Sequence, residues 1–419
     1  MRNVETRHVT LVEQSADRYQ RFAFELPRGT TSFEVSLEVE GGKDAVVDLG
    51  CEGPDGWRGW SGGARRSFVI SDDDATPGYV PGPLAAGEWH VIVGLHTLPP
   101  EGADVRITVE MPARSVPDHG PVEEPVGRVA RASERELPAP AGMRWYAGDT
   151  HAHSLHSDGA LSLWELANEG VRSGLDFLCV TDHNTTSHHP HLPSVGDRHG
   201  ITLIPGQEVT THAGHANAFG DIGFIDFRRP AQEWADVVAE RGGLFSINHP
   251  VAGDCSWLHP MDGAVEAVEL YHSTWYEDPI DTSALAWFQG RGDGAVLLGG
   301  GDFHNRSRPL RPGLPTTWVA AEECTPAAIL EGMRQGRTTI TASAQLDSET
   351  EARPIHDRAP MLIRDGEELS VLCAGGLVLV SGSGRRVVMV GDSQVLTAPR
   401  CDGPYRLEDA SRRVLALAA

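Results

Sequence analysis

Apolar and polar residues alternate along the first hundred positions in the manner of half-buried strands. Phe22, Phe24 and Leu26 are each separated by one other residue, and similar runs occur at 33–39 and 105–109. A period of two places the apolar side chains on one face of a strand. Turns rich in glycine, proline and aspartate separate these runs. The pattern therefore predicts a β-sandwich over residues 1–111.

The pattern changes after residues 112–143, which are rich in Pro, Arg and Glu and which we interpret as a linker or surface strap. Over 144–345, short apolar runs alternate with amphipathic segments. Ser162 and Glu165 have the spacing of a capping box, and Thr325-Pro326 begins the last predicted helix. Strands are predicted at 176–181, 201–209, 244–248, 265–270 and 295–299. Repeated β–α units imply parallel strands, in an open sheet or a barrel.

Strand-like runs return in the last part of the chain, including 377–380, 387–390 and 414–417. We expect a β-rich extension over 346–419, and the pattern leaves open whether it forms a separate domain. The complete division is thus 1–111, 112–143, 144–345 and 346–419.

The net charge of −24 argues against a nucleic-acid partner, because phosphate backbones are bound by an excess of Lys and Arg. Lys43 is the only lysine. No apolar run approaches the length of a membrane span, and the start of the chain has no secretory signal pattern. The six scattered cysteines favour buried, reduced thiols. We expect a cytoplasmic protein with a small-molecule substrate, and the oligomeric state stays open.

Histidines and carboxylates follow one predicted strand after another. The segments are Asp149-Thr150-His151-Ala152-His153 with Asp158, then Thr181-Asp182-His183, Gly206-Gln207-Glu208 with His215, Asn248-His249-Pro250, and Gly301-Asp302-Phe303-His304. A single histidine at a strand end is usually a hydrogen-bonded core or loop residue. Their repetition favours a barrel, because a barrel gathers its strand ends at one active site. Imidazoles and carboxylates without cysteine suit Zn, Mn or Fe.

In this order, these segments resemble the motifs of the PHP (polymerase and histidinol phosphatase) metallohydrolases over about half of the chain. The stretch 56–63, with 75–82 and 87–89, resembles the leading domain of the CehA/McbA-like branch, which includes carbaryl hydrolases. The resemblance implies a distorted (β/α)7 barrel with two to three divalent transition metals. It places His151, His153, Glu208 and Asp302 at the first metal, and Glu208, His215 and His249 at the second. Asp158, His183 and His304 would hold the third, although relatives use His where this chain has Asp158.

Our hypothesis for the mechanism is hydrolysis by a hydroxide that bridges two metals. In this hypothesis Glu208 is the bridging ligand and Asp302 accepts the proton. A small-molecule phosphoester is the favoured substrate. The alternatives are a carbamate or carboxylic ester and, from another class, a non-catalytic ligand-binding protein stabilised by metal. Arg306 and Arg308 are candidates to bind a substrate anion, with solvated loop charges as the equally weighted alternative.

Several other residues have a structural and a functional interpretation. We expect His188, His189 and His191 to lie in a surface loop, with a substrate lid as the alternative. His272 is expected to support a ligand rather than to be one. Trp57, Trp60 and Trp89 are expected in the sandwich core, and the sandwich is expected to pack beside the barrel without supplying a catalytic group.

Overall fold

The first part of the chain forms two four-stranded antiparallel sheets. The computed structural model describes residues 1–42, 44–292, 294–346 and 351–419. The strands are β1 (Arg2–Val9), β2 (Tyr19–Leu26), β3 (Ser32–Glu40), β4 (Val46–Gly53), β5 (Gly56–Gly62), β6 (Ser67–Ser71), β7 (Gly87–Thr97) and β8 (Ala103–Glu110), with helix α1 (Leu11–Ala16) after β1. One sheet has the order β1-β8-β3-β6, and the other has the order β2-β7-β4-β5.

Alternation along these strands builds one shared hydrophobic cluster. Phe22, Phe24 and Leu26 are buried while the residues between them are exposed, as the period of two predicts. Phe33 and Phe68 of one sheet and Trp89 of the other belong to the same cluster. Both sheets therefore bury a common apolar face.

The middle of the chain alternates strands and helices. The strands are β9 (Arg144–Asp149), β10 (Phe177–Val180), β11 (Thr202–Thr211), β12 (Gly214–Phe219), β13 (Leu244–Ile247), β14 (Ala267–His272), β15 (Val296–Gly300), β16 (Thr316–Ala321) and β17 (Thr338–Thr341). The helices are α2 (Leu163–Arg172), α3 (Leu192–His199), α4 (Ala231–Glu240), α5 (Ser283–Arg291) and α6 (Pro326–Arg334). Ser162 and Glu165 form the predicted capping box, and Thr325 caps α6.

The prediction of a parallel sheet is correct for only part of this region. Strands β9, β10 and β11 are parallel, as are β13, β14 and β15. Strand β12 is antiparallel to β11, because the short turn between Thr211 and Gly214 leaves no room for a crossover helix. It is also antiparallel to β13, although helix α4 lies between them in the chain. Strand β16 pairs antiparallel with β9. The sheet also curls, since Thr338 of β17 donates a hydrogen bond to Leu297 of β15.

The last part of the chain is β-rich and extends the same sheet. Its strands are β18 (Ala344–Leu346), β19 (Ala352–Pro354), β20 (Met361–Asp365), β21 (Glu368–Leu372), β22 (Val378–Val380), β23 (Arg386–Val388), β24 (Ser393–Thr397), β25 (Tyr405–Glu408) and β26 (Val414–Ala418). Strand β26 pairs with β17, and β25, β22 and β23 follow it, so these strands continue the central sheet. Strands β20, β21 and β24 form a separate sheet.

Two expectations about side-chain burial need correction. Trp57 and Trp60 lie outside the core of the first two sheets and pack against Phe227 of the middle region, because this face is covered where the two parts meet. Trp89 does lie in the predicted core. Among the cysteines, only Cys51 and Cys179 are buried, whereas Cys373 and Cys401 are exposed.

No helix in the described ranges has both the length and the apolar character that crossing a bilayer requires.

Candidate metal centre

Five segments that bear histidines or carboxylates converge at one end of the curled sheet. His151 and His153 follow β9, and His183 follows β10. His249 follows β13, and Asp302 and His304 follow β15, while Glu208 and His215 belong to the β11–β12 hairpin. The expectation that His151 and His153 lie on a strand is wrong, because β9 ends at Asp149 and both histidines come just after it. Bridges between Ala152 and Phe303 and between His183 and Glu208 nevertheless align these segments in parallel.

Glu208 is the centre of this arrangement. Its carboxylate lies 3.2 Å from His151 Nε2, 3.4 Å from His153 Nε2 and 2.9 Å from His183 Nδ1. It also lies 3.2 Å from His215 Nδ1 and 3.2 Å from His249 Nε2. One buried carboxylate therefore touches five imidazoles, which the sequence had divided among all three predicted metals.

Asp302 and Asp158 complete the carboxylate set. Asp302 Oδ1 lies 3.0 Å from His153 Nε2 and 3.4 Å from His151 Nε2. Asp158 Oδ1 lies 3.2 Å from His304 Nε2 and 3.5 Å from His183 Nε2. All nine predicted ligands are therefore in one cluster. Eight of them, together with Glu269 and His272, offer ligand atoms in overlapping groups within 4.8 Å: His151 with His249, Glu269 and His272; His153 with Asp158, His183 and His304; His151 with His153 and Glu208; His183 with Glu208 and His215.

Glu269 is a buried member of the centre that the sequence did not single out. Its Oε1 accepts a hydrogen bond from His151 Nδ1 at 2.9 Å, and its Oε2 accepts one from the His249 backbone at 3.2 Å. A Cβ on Gly300 would lie 2.1 Å from Glu269 Oε1, so the glycine permits this close approach. The available signal was a glutamate between apolar residues, Val268 and Leu270, in the strand Ala267–His272.

His272 makes contacts that fit a supporting residue. Its Nδ1 accepts a hydrogen bond from the Thr274 backbone at 3.3 Å. In the neutral ring the proton is then on Nε2, which faces Asp302 Oδ2 at 3.4 Å. His272 therefore faces Asp302, but it also belongs to one of the groups that could hold a metal ion, so its supporting role stays a prediction.

The pKa values of the histidines and carboxylates in the centre are shifted by burial and by the charges of their neighbours. Burial opposes protonation of His183 and His249, but Asp158 and Glu208 raise the pKa of His183 to about 9, and Cys255 and Glu208 raise that of His249 to about 10. Burial together with the charges of His304 and His183 lowers the pKa of His153 to about 4. Burial alone would raise the pKa values of Glu208 and Asp302, yet the neighbouring histidines hold both well below their usual range. Both carboxylates are therefore ionised at neutral pH.

Backbone conformation at the centre is unusual. His249 and Asp302 have φ values of 27° and 49°, in the region that non-glycine residues rarely adopt. Strain of this kind is retained where the surrounding structure holds it, and it concentrates at functional sites.

A divalent metal ion fits this donor set. His151 Nε2, His153 Nε2 and Glu208 Oε2 are buried and make no hydrogen bond within the described residues. Unsatisfied buried polar atoms are costly, and coordination would satisfy them. The second nitrogen of His151 is already engaged by Glu269, as is usual for histidines that bind metal.

Arg306 has partners other than the ones expected. Its guanidinium contacts Glu169 at 2.9 Å and Glu165 and Glu123 at 3.3 Å each. Glu165 and Glu169 belong to helix α2, and Glu123 precedes it. The three carboxylates engage all three guanidinium nitrogens, so the structure gives Arg306 an ion-pair role that its position after Asp302 did not reveal. Arg308 is exposed, and its predicted substrate role stays a prediction.

The His188–His191 segment also departs from the expected surface loop. His188 is fully buried, and its Nε2 lies 3.0 Å from the carbonyl oxygens of Val180 and Gly206. His189 is buried as well, whereas His191 is exposed. The first two histidines therefore fasten the loop to the strands beneath it.

Residues before position 111 form a wall beside the metal centre. A cavity of about 890 Å³ is lined by Asp158, His183 and His215 on one side and by Arg18, Asp48 and Trp60 on the other. Arg65 donates hydrogen bonds to the carbonyl oxygens of Ser157, at 3.0 Å, and of Leu155. The first two sheets thus line the cleft and hold the loop that carries Asp158.

Comparison with known proteins gives partial likenesses. No family model matches the chain. A 5'-3' exoribonuclease of Haemophilus influenzae is 36% identical over 64 residues, which cover 15% of this chain and 23% of that protein. The match therefore spans about a quarter of the relative's length.

Two solved structures overlay in part. A two-domain protein from Bacteroides vulgatus with a PHP-like metal-dependent phosphoesterase gives a TM-score of 0.41 at 17% identity, over 70% of this chain and 91% of its own. An amidohydrolase from Chromobacterium violaceum gives a TM-score of 0.29 at 18% identity, over 37% of this chain and 87% of its own.

Proposed function

We propose that this protein is a metal-dependent hydrolase that cleaves small-molecule phosphoesters. The observation that carries the proposal is Glu208, a buried carboxylate within 3.4 Å of five imidazoles, several with unpartnered nitrogens. A binding scaffold has no need of so costly a cluster, which argues against the non-catalytic alternative.

The proposed ligand sets are those implied by the resemblance. His151, His153, Glu208 and Asp302 would hold one divalent ion, and Glu208, His215 and His249 a second. Asp158, His183 and His304 would hold a third, and Zn, Mn or Fe suits all three sets. Bound ions of this kind lower the pKa of water and stabilise negative charge on a substrate oxygen.

The protein's own residues have distinct proposed roles in the reaction. Asp302 is ionised, and its side chain is 19% exposed, so it can accept a proton or hydrogen bond from the attacking water. Glu269 fixes the orientation of His151 and leaves Nε2 directed at Glu208. The wall formed by Trp60 and Tyr19 excludes part of the solvent from the cleft.

Two considerations favour a phosphoester over a carbamate or carboxylic ester. A phosphoester brings several negative oxygens, and the Asp158–His183–His304 group offers an additional cation site for them. The relative from Haemophilus influenzae is named as an exoribonuclease, and RNA cleavage breaks a phosphoester bond. The net charge of −24 is the reason to propose a small molecule rather than RNA for this chain.

The architecture proposed with this function follows the four predicted segments. The two antiparallel sheets would be a β-sandwich domain at 1–111, followed by a linker at 112–143 and a distorted (β/α)7 barrel at 144–345. Residues 346–419 would be its β-rich extension, and the protein would act in the cytoplasm.

A substrate panel tests the proposal directly. The protein would be loaded separately with Mn, Zn and Fe and assayed with aryl phosphate mono- and diesters, aryl carbamates and aryl acetates. We expect turnover of a phosphate ester, which the Glu208→Ala variant purified in parallel should lack. Efficient cleavage of aryl carbamates with every phosphate ester left intact would reverse the choice of substrate class.

A further inference from the structure

We propose that the cleft contains a second anion-binding subsite, built on Arg18, that receives a negatively charged group at the end of the substrate remote from the cleaved bond. The group would be a carboxylate or a phosphate. The inference rests on the proposed function for the position of the cleaved bond, and it assigns a substrate feature that the metal centre alone does not.

The first observation is how Arg18 is held. Its Nη1 donates to the carbonyl oxygens of Leu95, at 2.9 Å, and His96, at 3.1 Å. These bonds fix the guanidinium through Nη1, and Arg18 forms no ion pair with any residue in the described ranges. An oriented guanidinium with free N–H groups is suited to bind a carboxylate or phosphate through two hydrogen bonds.

The second observation is where Arg18 lies. It lines the same cavity as Asp158, His183 and His215, and it is the only arginine among the described residues that do so. The volume of about 890 Å³ is in the range of small-molecule sites and exceeds what a phosphate group alone would need. A substrate held at the metal centre therefore has room to extend to Arg18.

The third observation is the charge around Arg18. His96 and His212 line the same cavity, and the charge of Arg18 contributes, after burial, to lowering the pKa of both. Asp48 also faces the cleft, but burial raises its pKa to about 7 against the charges of Arg66, Arg18 and His183. Near neutral pH this carboxyl carries only part of a negative charge, so Arg18 stays available to an anion.

A binding experiment isolates the subsite from turnover. Metal-loaded protein would be titrated calorimetrically with phenylphosphonate and with 4-carboxyphenylphosphonate, which differ only in the remote carboxylate. We expect the wild type to bind the carboxylated ligand about tenfold more tightly or better, the effect of a charge-assisted hydrogen-bond pair. Arg18→Gln should abolish this preference.

The matched control is Arg28→Gln, because Arg28 is exposed and lies outside the cleft. It removes the same charge and should keep the full preference. A wild type without the preference, or an Arg18→Gln variant that retains it, would overturn the subsite, as would wild-type protein that binds neither phosphonate.

Kinetics separate this inference from the proposed function. With phenyl phosphate and 4-carboxyphenyl phosphate, Arg18→Gln should raise KM for the carboxylated ester alone, about tenfold, and leave kcat within about twofold. If no phosphate ester is hydrolysed while the Arg18-dependent preference persists in calorimetry, the proposed function is wrong and the anion subsite stands.

Discussion

His151 Nδ1 lies 2.9 Å from Glu269 Oε1, and both side chains are almost completely buried. This hydrogen bond determines which nitrogen of His151 carries the proton and which one faces Glu208. The other oxygen of Glu269 accepts from the backbone of His249, so a single carboxylate positions two of the proposed ligands. A carboxylate that orients histidine ligands in this way strengthens the affinity of a metal site.

We predict that Glu269→Ala will weaken metal binding by about 10- to 100-fold, because His151 loses its fixed tautomer and orientation. Competition with a chromogenic chelator measures the change. Glu331→Ala, on the exposed side of helix α6, is the control and should bind metal like the wild type. Unchanged affinity in a folded Glu269→Ala variant would contradict the positioning role.

Glu208 should be required for both metal and activity. Wild-type protein expressed with Mn or Zn should carry about two or more metal ions per chain, as a two-metal site requires. Glu208→Ala should lose metal and turnover together, and Glu208→Gln, which keeps the shape without the charge, should bind metal more weakly. Elemental analysis finding less than one ion in the wild type, or full turnover by Glu208→Ala, would disprove the arrangement.

The Asp158–His183–His304 group should discriminate between the two substrate classes. For a phosphoester, Asp158→Ala or His183→Ala should lower kcat about a hundredfold or more, the usual effect of losing one preorganised transition-state group. For a neutral carbamate these changes should be mild, whereas His249→Ala should be severe for either class. Steady-state kinetics of the purified variants provide the comparison.

Arg65 should stabilise the loop that carries Asp158. Its guanidinium reaches from the first two sheets to the carbonyl oxygens of Leu155 and Ser157. We expect Arg65→Gln to weaken binding of the most weakly held metal ion, measured by metal titration, while the remaining ions stay bound. The neighbouring Arg66 donates to Val47 within those sheets, so Arg66→Gln is a matched control that should leave all metal sites intact.

His356 should make stability depend on pH. Burial lowers its pKa to about 4, although its Nε2 donates a 2.7 Å hydrogen bond to Ser173. The folded pKa lies below the unfolded value of 6.5, so the contribution is present above pH 6.5 and is lost as pH falls through 4. It amounts to about 3 kcal/mol at most.

Urea unfolding of wild type and His356→Gln between pH 7.5 and 4 tests this dependence. The difference in unfolding free energy between the two proteins should shrink as pH falls from 6.5 to 4. A difference that is constant across this range would show that titration of His356 does not couple to folding.

The sequence predicted the nine proposed ligands because each lies at or near a strand end and its spacing is local. His151 and His153, or Asp302 and His304, are two residues apart, so short-range geometry alone brings each pair to one place. The strands themselves were predictable for the same reason, since their apolar runs are continuous in the chain. Strand β12 was missed because His215 and Asn217 interrupt its apolar residues, so it has no continuous apolar run.

Only the tertiary structure decided which distant groups meet. Glu269 lies 118 residues from His151, and the carboxylates that engage Arg306 lie more than a hundred residues before it, so no local pattern links them. Trp57 and Trp60 were expected in the sandwich core, yet both pack against Phe227, which belongs to another part of the chain. The local spacing of histidines and carboxylates was enough to predict which residues form the centre. Burial and charge pairing between remote segments decided which residues support it, such as Glu269, and which residues form the wall that faces it.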